Sequence, residues 1–220
     1  MPQWRRFAVA GLMFSALLFF PRPSSGQSQP PEKPAEQPAA PAYDGEWWLS
    51  LGGWEQYGVI SGYQDCYAFE YRGSVPFTKE IQTYIEDLNK YFQSDPALRK
   101  QTVSEALDGL RKAAGDQPTP AAPDSPTSAH GDFDGKFWFE ADPAAELGFV
   151  EGYLACHSAK LKDADAKFSK SPSEYVDLIN KAYNITDDTD DVDADKAPMK
   201  IADVLHRLKD EEPPPAKSTY

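Results

Sequence analysis

Histidine, cysteine and basic charge are all in short supply in this chain. Three histidines and two cysteines occur in 220 residues. None of His130, His157 and His206 belongs to an HExxH pair or a nucleophile elbow. Cys156-His157 is no haem-attachment signal either, because Tyr153 stands where a second cysteine is needed. Lys and Arg number 22 against 35 Asp and Glu, a formal charge of -13. A nucleic-acid partner is excluded on that count, since phosphate neutralisation requires a basic face. Long apolar runs are missing beyond Phe7–Phe20, which carries no charge.

That one run sits where export predicts it. Arg5 and Arg6 precede it and Ser24-Ser25-Gly26 follows it, so residues 1–26 read as a secretory signal cleaved before Gln27. As a retained anchor the run is too short: 14 residues at 1.5 Å each fall well below the ~30 Å hydrocarbon core. No cysteine lies near the cleavage point to carry a lipid. Cleavage removes Arg5, Arg6 and Arg22 and no acid, leaving a charge of -16 that anionic surfaces repel.

Proline, by contrast, is plentiful and marks boundaries. Fifteen of the 20 prolines lie outside the segments with helical periodicity. The predicted organisation is a signal over 1–26, a Pro/Ala-rich tether over 27–43, a folded unit over 44–114, a Pro-rich linker over 115–131, a second unit over 132–209 and a tail over 210–220.

The two units resemble each other. At an offset of 90, residues 44–66 and 134–156 agree at seven of 23 positions, among them Trp48/Trp138, Gly58/Gly148, Gly62/Gly152, Tyr63/Tyr153 and Cys66/Cys156. At offset 91 the match resumes with Phe77/Phe168, Lys79/Lys170, Tyr84/Tyr175, Asn89/Asn180 and Lys90/Lys181. At offset 98, VSEALDGLRK lies over IADVLHRLKD. Three blocks in one order imply a tandem duplication of a unit of about 75 residues.

Each unit reads as three helices. Asp142-Pro143 opens one that runs to about Lys160, Ser171-Pro172-Ser173-Glu174 has capping-box spacing, and Ile201, Val204, Leu205 and Leu208 follow i, i+3, i+4, i+7. The first unit repeats this with Ile81, Tyr84, Ile85, Leu88, then Asp95-Pro96 ahead of Val103, Ala106, Leu107 and Leu110. Residues 66–75, CYAFEYRGSV, would also suit a strand.

In the first of these helices Gly58, Gly62 and Cys66 are spaced i, i+4, i+8, as are Gly148, Gly152 and Cys156. A helical glycine costs about 1 kcal/mol relative to alanine, so a matched row of them requires a compensating gain, and close approach of another helix supplies one. The stripes therefore predict that the two helices cross along them about a pseudo-twofold axis. Cys66 and Cys156 then meet at one interface, and an exporting compartment favours a structural disulfide over free buried thiols or a metal site with His157 or Asp65.

The remaining candidates for chemistry are thin. In DDTDDVDAD, residues 187–195, Asp191, Asp193 and Asp195 match calcium-loop positions 1, 3 and 5, but Lys196 and Ala202 stand where glycine and glutamate are required, so a solvated acidic loop is the expectation. Asp65, Glu55, Glu146 and Glu151 could supply a carboxylate pair, yet across the repeat they face Ala155, Ala145, Gln56 and Ser61. Trp54 aligns with Ala144 and is either packing over the partner helix, the favoured expectation, or a binding anchor. The sequon Asn184-Ile185-Thr186 carries no weight without a known host.

The sequence thus predicts an all-α protein of two tandem three-helix repeats, exported to a periplasm or the extracellular space. It is expected to use no cofactor or metal and to act without catalysis, by binding another envelope or secreted protein or a small ligand, in an inhibitor or immunity-type role. It is not expected to stay inserted in a membrane after signal cleavage. The alternatives are an enzyme with a carboxylate site between the repeats and a weak calcium binder working through the acidic loop.

Overall fold

The computed structural model describes residues 42–70, 77–115, 133–160, 168–186 and 191–210. All of them belong to one compact unit that begins at Pro41. The signal, most of the tether, the linker apart from Gly115, the tail after Asp210 and the first half of the acidic run lie outside the described residues.

Among these residues the chain is all-α, with eight α-helices. They are α1 (Gly45–Ser50), α2 (Gly53–Glu70), α3 (Ile81–Ser94), α4 (Val103–Ala113), α5 (Gly135–Glu140), α6 (Pro143–Lys160), α7 (Pro172–Tyr183) and α8 (Ile201–Asp210). A 3-10 turn over Pro96–Lys100 joins α3 to α4. The strand reading of 66–75 fails as far as it can be followed, because Cys66 to Glu70 complete α2; the rest of that stretch is not described. No described helix is long and apolar enough to cross a membrane.

The expectation of three helices per unit is corrected by α1 and α5. Six residues cannot sustain a helix alone. Here Asp44 and Asp134 cap them through bonds to the Trp47 N–H (2.9 Å) and the Phe137 N–H (3.2 Å). Trp48 and Trp138 then bury themselves completely, each indole donating to an asparagine on the third helix of its half: Asn89 at 2.9 Å and Asn180 at 2.7 Å. A second correction concerns Asp95-Pro96, which opens the 3-10 turn rather than α4. Helix α4 starts from a capping box of Thr102 with Glu105, as α7 starts from Ser171 with Glu174.

Contacts in the first half recur in the second. Lys79 lies 5.7 Å over Tyr84 and Lys170 lies 5.7 Å over Tyr175. Phe77 meets Tyr84 edge-on at 5.4 Å, and Phe168 meets Tyr175 at 5.3 Å. The Val103 and Ile201 amides donate to the Tyr43 and Phe133 carbonyls. The last helix of each half packs across onto the long helix of the other, α4 on α6 and α8 on α2, with Ser104 Oγ donating to the Ala155 carbonyl at 3.3 Å.

The dominant contact is between α2 and α6. A methyl group at Gly62 would sit 2.7 Å from the Phe149 carbonyl carbon, and one at Gly152 would sit 2.7 Å from that of Val59. At Gly58 and Gly148 it would run into the carbonyls of Ala145 and Glu55. In each case the obstacle is backbone, which cannot rotate aside. Cys66 and Cys156, both fully buried, form a disulfide at the end of this crossing with their Cα atoms 6.2 Å apart.

Two measurements follow from this crossing. Gly62→Ala or Gly152→Ala forces the helices apart and is expected to lower the unfolding free energy by at least about 2 kcal/mol in denaturant titrations. Gly109→Ala at an exposed position of α4, where a methyl group meets nothing within 4 Å, is expected to be neutral or to stabilise by up to about 1 kcal/mol. Equal effects would show that close approach is not what the stripe serves. Replacing both Cys66 and Cys156 by alanine opens a sequence separation of 90 residues. It is expected to cost about 4 to 5 kcal/mol on the chain-entropy argument, read as the shift in denaturant midpoint.

Candidate functional site

Among the described residues the exposed large hydrophobic side chain is Trp54, 62% accessible in the first turn of α2. It does not pack over the partner helix, which corrects the favoured expectation from sequence. Gly52 and Gly53 just before it have open space around them. Its ring touches Tyr57 edge-on, centroids 6.2 Å apart at 76°. Together with Phe137, Glu140 and Asp142 from the α5–α6 corner these two rings line a groove of about 560 Å³. Asp142 caps α6 through the Ala144 N–H at 2.9 Å, and Glu140 has a solvent-exposed partner, Lys136, at 3.8 Å.

The carboxylates singled out from the sequence go elsewhere. Asp65 is fully buried on α2 against the first turn of α8, and neither of its oxygens is in hydrogen-bond geometry. Burial pushes its pKa up to about 8; the Lys200 ammonium and the Ala202 N–H oppose the rise and Asp203 adds to it. Glu151 on α6 is pushed up to about 7 by burial and then by the charge of Glu55. Glu146 is raised by burial, against a hydrogen bond from Asn180. Its counterpart Gln56 meets Asn89 in the first half at 3.2 Å. Glu55 accepts from the Gly52 N–H at 3.2 Å.

His157 is 4% exposed and is pushed down to about 4 by burial, then by Lys209 and His206. Its ring lies 4.7 Å from Phe168 and 5.8 Å from His206, which stacks on Phe69 at 3.9 Å. The corresponding place in the first half holds Tyr67, Asp108 and Arg111. There the Arg111 guanidinium donates to the Tyr67 hydroxyl at 3.0 Å and lies 3.6 Å from Asp108. Positions matched by the sequence offsets thus carry different polar groups in the two halves.

Burial moves Asp65, Glu151 and His157 away from their ordinary values, and Glu151 lies apart from Asp65. Each is shifted by a different set of neighbours. Glu55, the neighbour of Glu151, is ten residues from Asp65 along α2, about 15 Å at 1.5 Å per residue. None of the three lines the Trp54 groove, nor the smaller groove of about 270 Å³ between α7 and α8 at Leu178, Lys181 and Arg207.

The described half of the acidic run serves local structure. Asn184, the left-handed C-cap of α7, donates to Asp193 at 2.6 Å, and Val192 is buried. Among the described residues no group of three His, Cys, Asp or Glu is placed to hold a metal ion. The Cys66–Cys156 disulfide occupies the thiols that a metal site with His157 or Asp65 would have used.

The groove is not legible in the sequence, because its acidic wall, Glu140 and Asp142, lies 86 and 88 residues downstream of Trp54. The available signal was the misalignment of Trp54 with Ala144, together with two glycines in front of it. Comparison with family models, curated proteins and solved structures finds no match to the chain.

Burial of Asp65 makes stability depend on pH. Its folded pKa lies above the ordinary carboxylate value, so the folded state holds a proton that the unfolded chain releases, and stability falls as pH rises from about 4 to about 8. Glu151 acts in the same direction up to about 7, while His157 acts oppositely between 6.5 and about 4. Asp65→Asn is expected to flatten the fall in melting temperature between about pH 5 and about pH 8.5 and to raise stability at the alkaline end. An unchanged slope in this variant would show that Asp65 ionises freely in the fold.

Proposed function

We propose that this chain is an exported, non-catalytic interaction protein. Its two tandem repeats are related by a pseudo-twofold axis through the α2–α6 crossing, and it meets a protein partner through the face that carries Trp54. The single observation behind this reading is the exposure of a tryptophan ring, 62% accessible, at the rim of a groove, while the other large aromatic rings among the described residues are buried or partly so. Tryptophan at the centre of an interface is a frequent carrier of binding energy. The paired contacts of the two halves support the axis: Gly58 against Ala145 answers Gly148 against Glu55, and Gly62 against Phe149 answers Gly152 against Val59.

Export to a periplasm or the extracellular space is supported by the disulfide and by the signal-like first 26 residues. An inhibitor or immunity-type role fits a rigid, stapled scaffold that presents one aromatic patch. The separation of Glu151 from Asp65, with none of Asp65, Glu151 and His157 lining the Trp54 groove, supports binding over catalysis.

The test begins with N-terminal sequencing of the protein isolated from its own host, which is expected to start at Gln27. The mature chain then serves as bait for the native envelope or secreted fraction. Any captured protein is purified and the complex reconstituted from the two components alone. Trp54→Ala is expected to weaken that complex by at least about tenfold, roughly 1.4 kcal/mol, with an unchanged melting temperature because the ring is exposed. A chain retaining its first residues, or a reconstituted complex indifferent to Trp54, would overturn the corresponding half of the proposal.

A further inference from the structure

Trp54 and Tyr57 form only half of their groove. The other half, the α5–α6 corner, brings Phe137 together with the carboxylates of Glu140 and Asp142. An aromatic face beside two acids suits one chemical class above others: a planar cation that stacks on the ring and bonds the carboxylates. Among the described residues no lysine or arginine of this chain lies over the Trp54 ring, whereas cations do lie over Tyr67, Tyr84, Phe168 and Tyr175. Glu140 has Lys136 at 3.8 Å, with both side chains more than half exposed, and an incoming cation displaces so weak a pair readily. Asp142 retains its exposed position while one oxygen caps α6.

The duplication supplies an internal comparison. At an offset of 90 the positions of Trp54, Tyr57, Glu140 and Asp142 are held by Ala144, Leu147, Ser50 and Gly52, leaving Glu55, opposite Ala145, as the acid of that set. The exposed ring and the flanking pair of acids occur together at one end of the crossing and not at the other. Core positions such as Trp48/Trp138 and Asn89/Asn180 show no such divergence.

We infer that the Trp54 groove receives an arginine side chain from an exposed segment of a partner protein, the guanidinium stacking on the Trp54 indole and bonding Glu140 and Asp142. An arginine on a protein segment is favoured over a small free ammonium ligand because the ring is 62% exposed. A site for a free small molecule encloses most of its ligand. The chain's charge of -13 adds a general attraction for such a segment. The inference rests on the interaction reading above and names the chemistry of its partner.

The test uses the folded, oxidised chain and three probes: a short blocked peptide bearing two arginines, the same peptide with citrulline in their place, and tetramethylammonium. Binding is followed by the NMR signals of the Trp54 indole N–H and the Tyr57 ring. The arginine peptide is expected to shift both signals saturably in the millimolar range, and the citrulline peptide is expected to leave them in place. Trp54→Ala, followed at Tyr57, is expected to weaken binding about tenfold. Glu140→Gln combined with Asp142→Ser, which keeps a capping residue on α6, is expected to weaken it several-fold. Equal binding by the citrulline peptide, indifference to Trp54, no saturable shift, or tighter binding of tetramethylammonium than of the arginine peptide would each overturn it. If the peptide fails while a reconstituted protein complex still depends on Trp54, the arginine chemistry is wrong and the interaction reading stands. If that complex also ignores Trp54, both fail.

Discussion

The fold depends on one steric constraint: α2 and α6 touch backbone to backbone along four glycines. Any side chain at those points meets a carbonyl group of the opposite helix rather than a mobile group. Four helical glycines would otherwise weaken both helices by about 1 kcal/mol each, so the gain must come from the approach itself. Van der Waals contact between main chains, the burial of Val59, Phe149 and Tyr153 beside them, and the covalent closure at Cys66–Cys156 all require that short distance. The outer helices then have fixed places to dock, with α4 on α6 and α8 on α2. Each half borrows its last wall from the other, which is why the two halves form one unit.

Once that frame is set, residues shared by both halves do the same work in each. The tryptophan–asparagine bond, the lysine over tyrosine and the edge-on phenylalanine recur within a few tenths of an ångström. Positions where the halves differ divide into two kinds. Toward the interior, the Tyr67–Asp108–Arg111 group gives way to His157, His206 and Lys209, an exchange of one partly buried polar cluster for another. At the surface, Trp54 stands where the second half has Ala144, its ring exposed and edge-on to Tyr57.

The shifted titrations illustrate why unusual pKa values are weak guides to a site here. Asp65 is displaced by the burial that places it against α8, His157 by the same cause under aromatic rings, and Glu151 by burial and a like charge. Desolvation is the leading cause in all three, and desolvation is what a helix crossing does to any polar group near it. Their shifts make the stability of the fold depend on pH.

What the sequence determined by itself was whatever depends on local spacing. Apolar periodicity pointed to α3, α4 and α8, cap signals to α6 and α7, and the row of glycines and a cysteine to α2, with two thiols at matching positions of the sequence repeat. The short helices α1 and α5 escaped that reading because six residues carry too little periodicity; they exist only because Trp48 and Trp138 are pulled into a core built from distant segments. Tertiary structure alone decided that Asp65 is buried and Trp54 is not. Both lie on α2 within eleven residues of each other, and what separates them is which part of the second half arrives over each: the first turn of α8 covers Asp65, and the open corner between α5 and α6 leaves Trp54 standing in solvent.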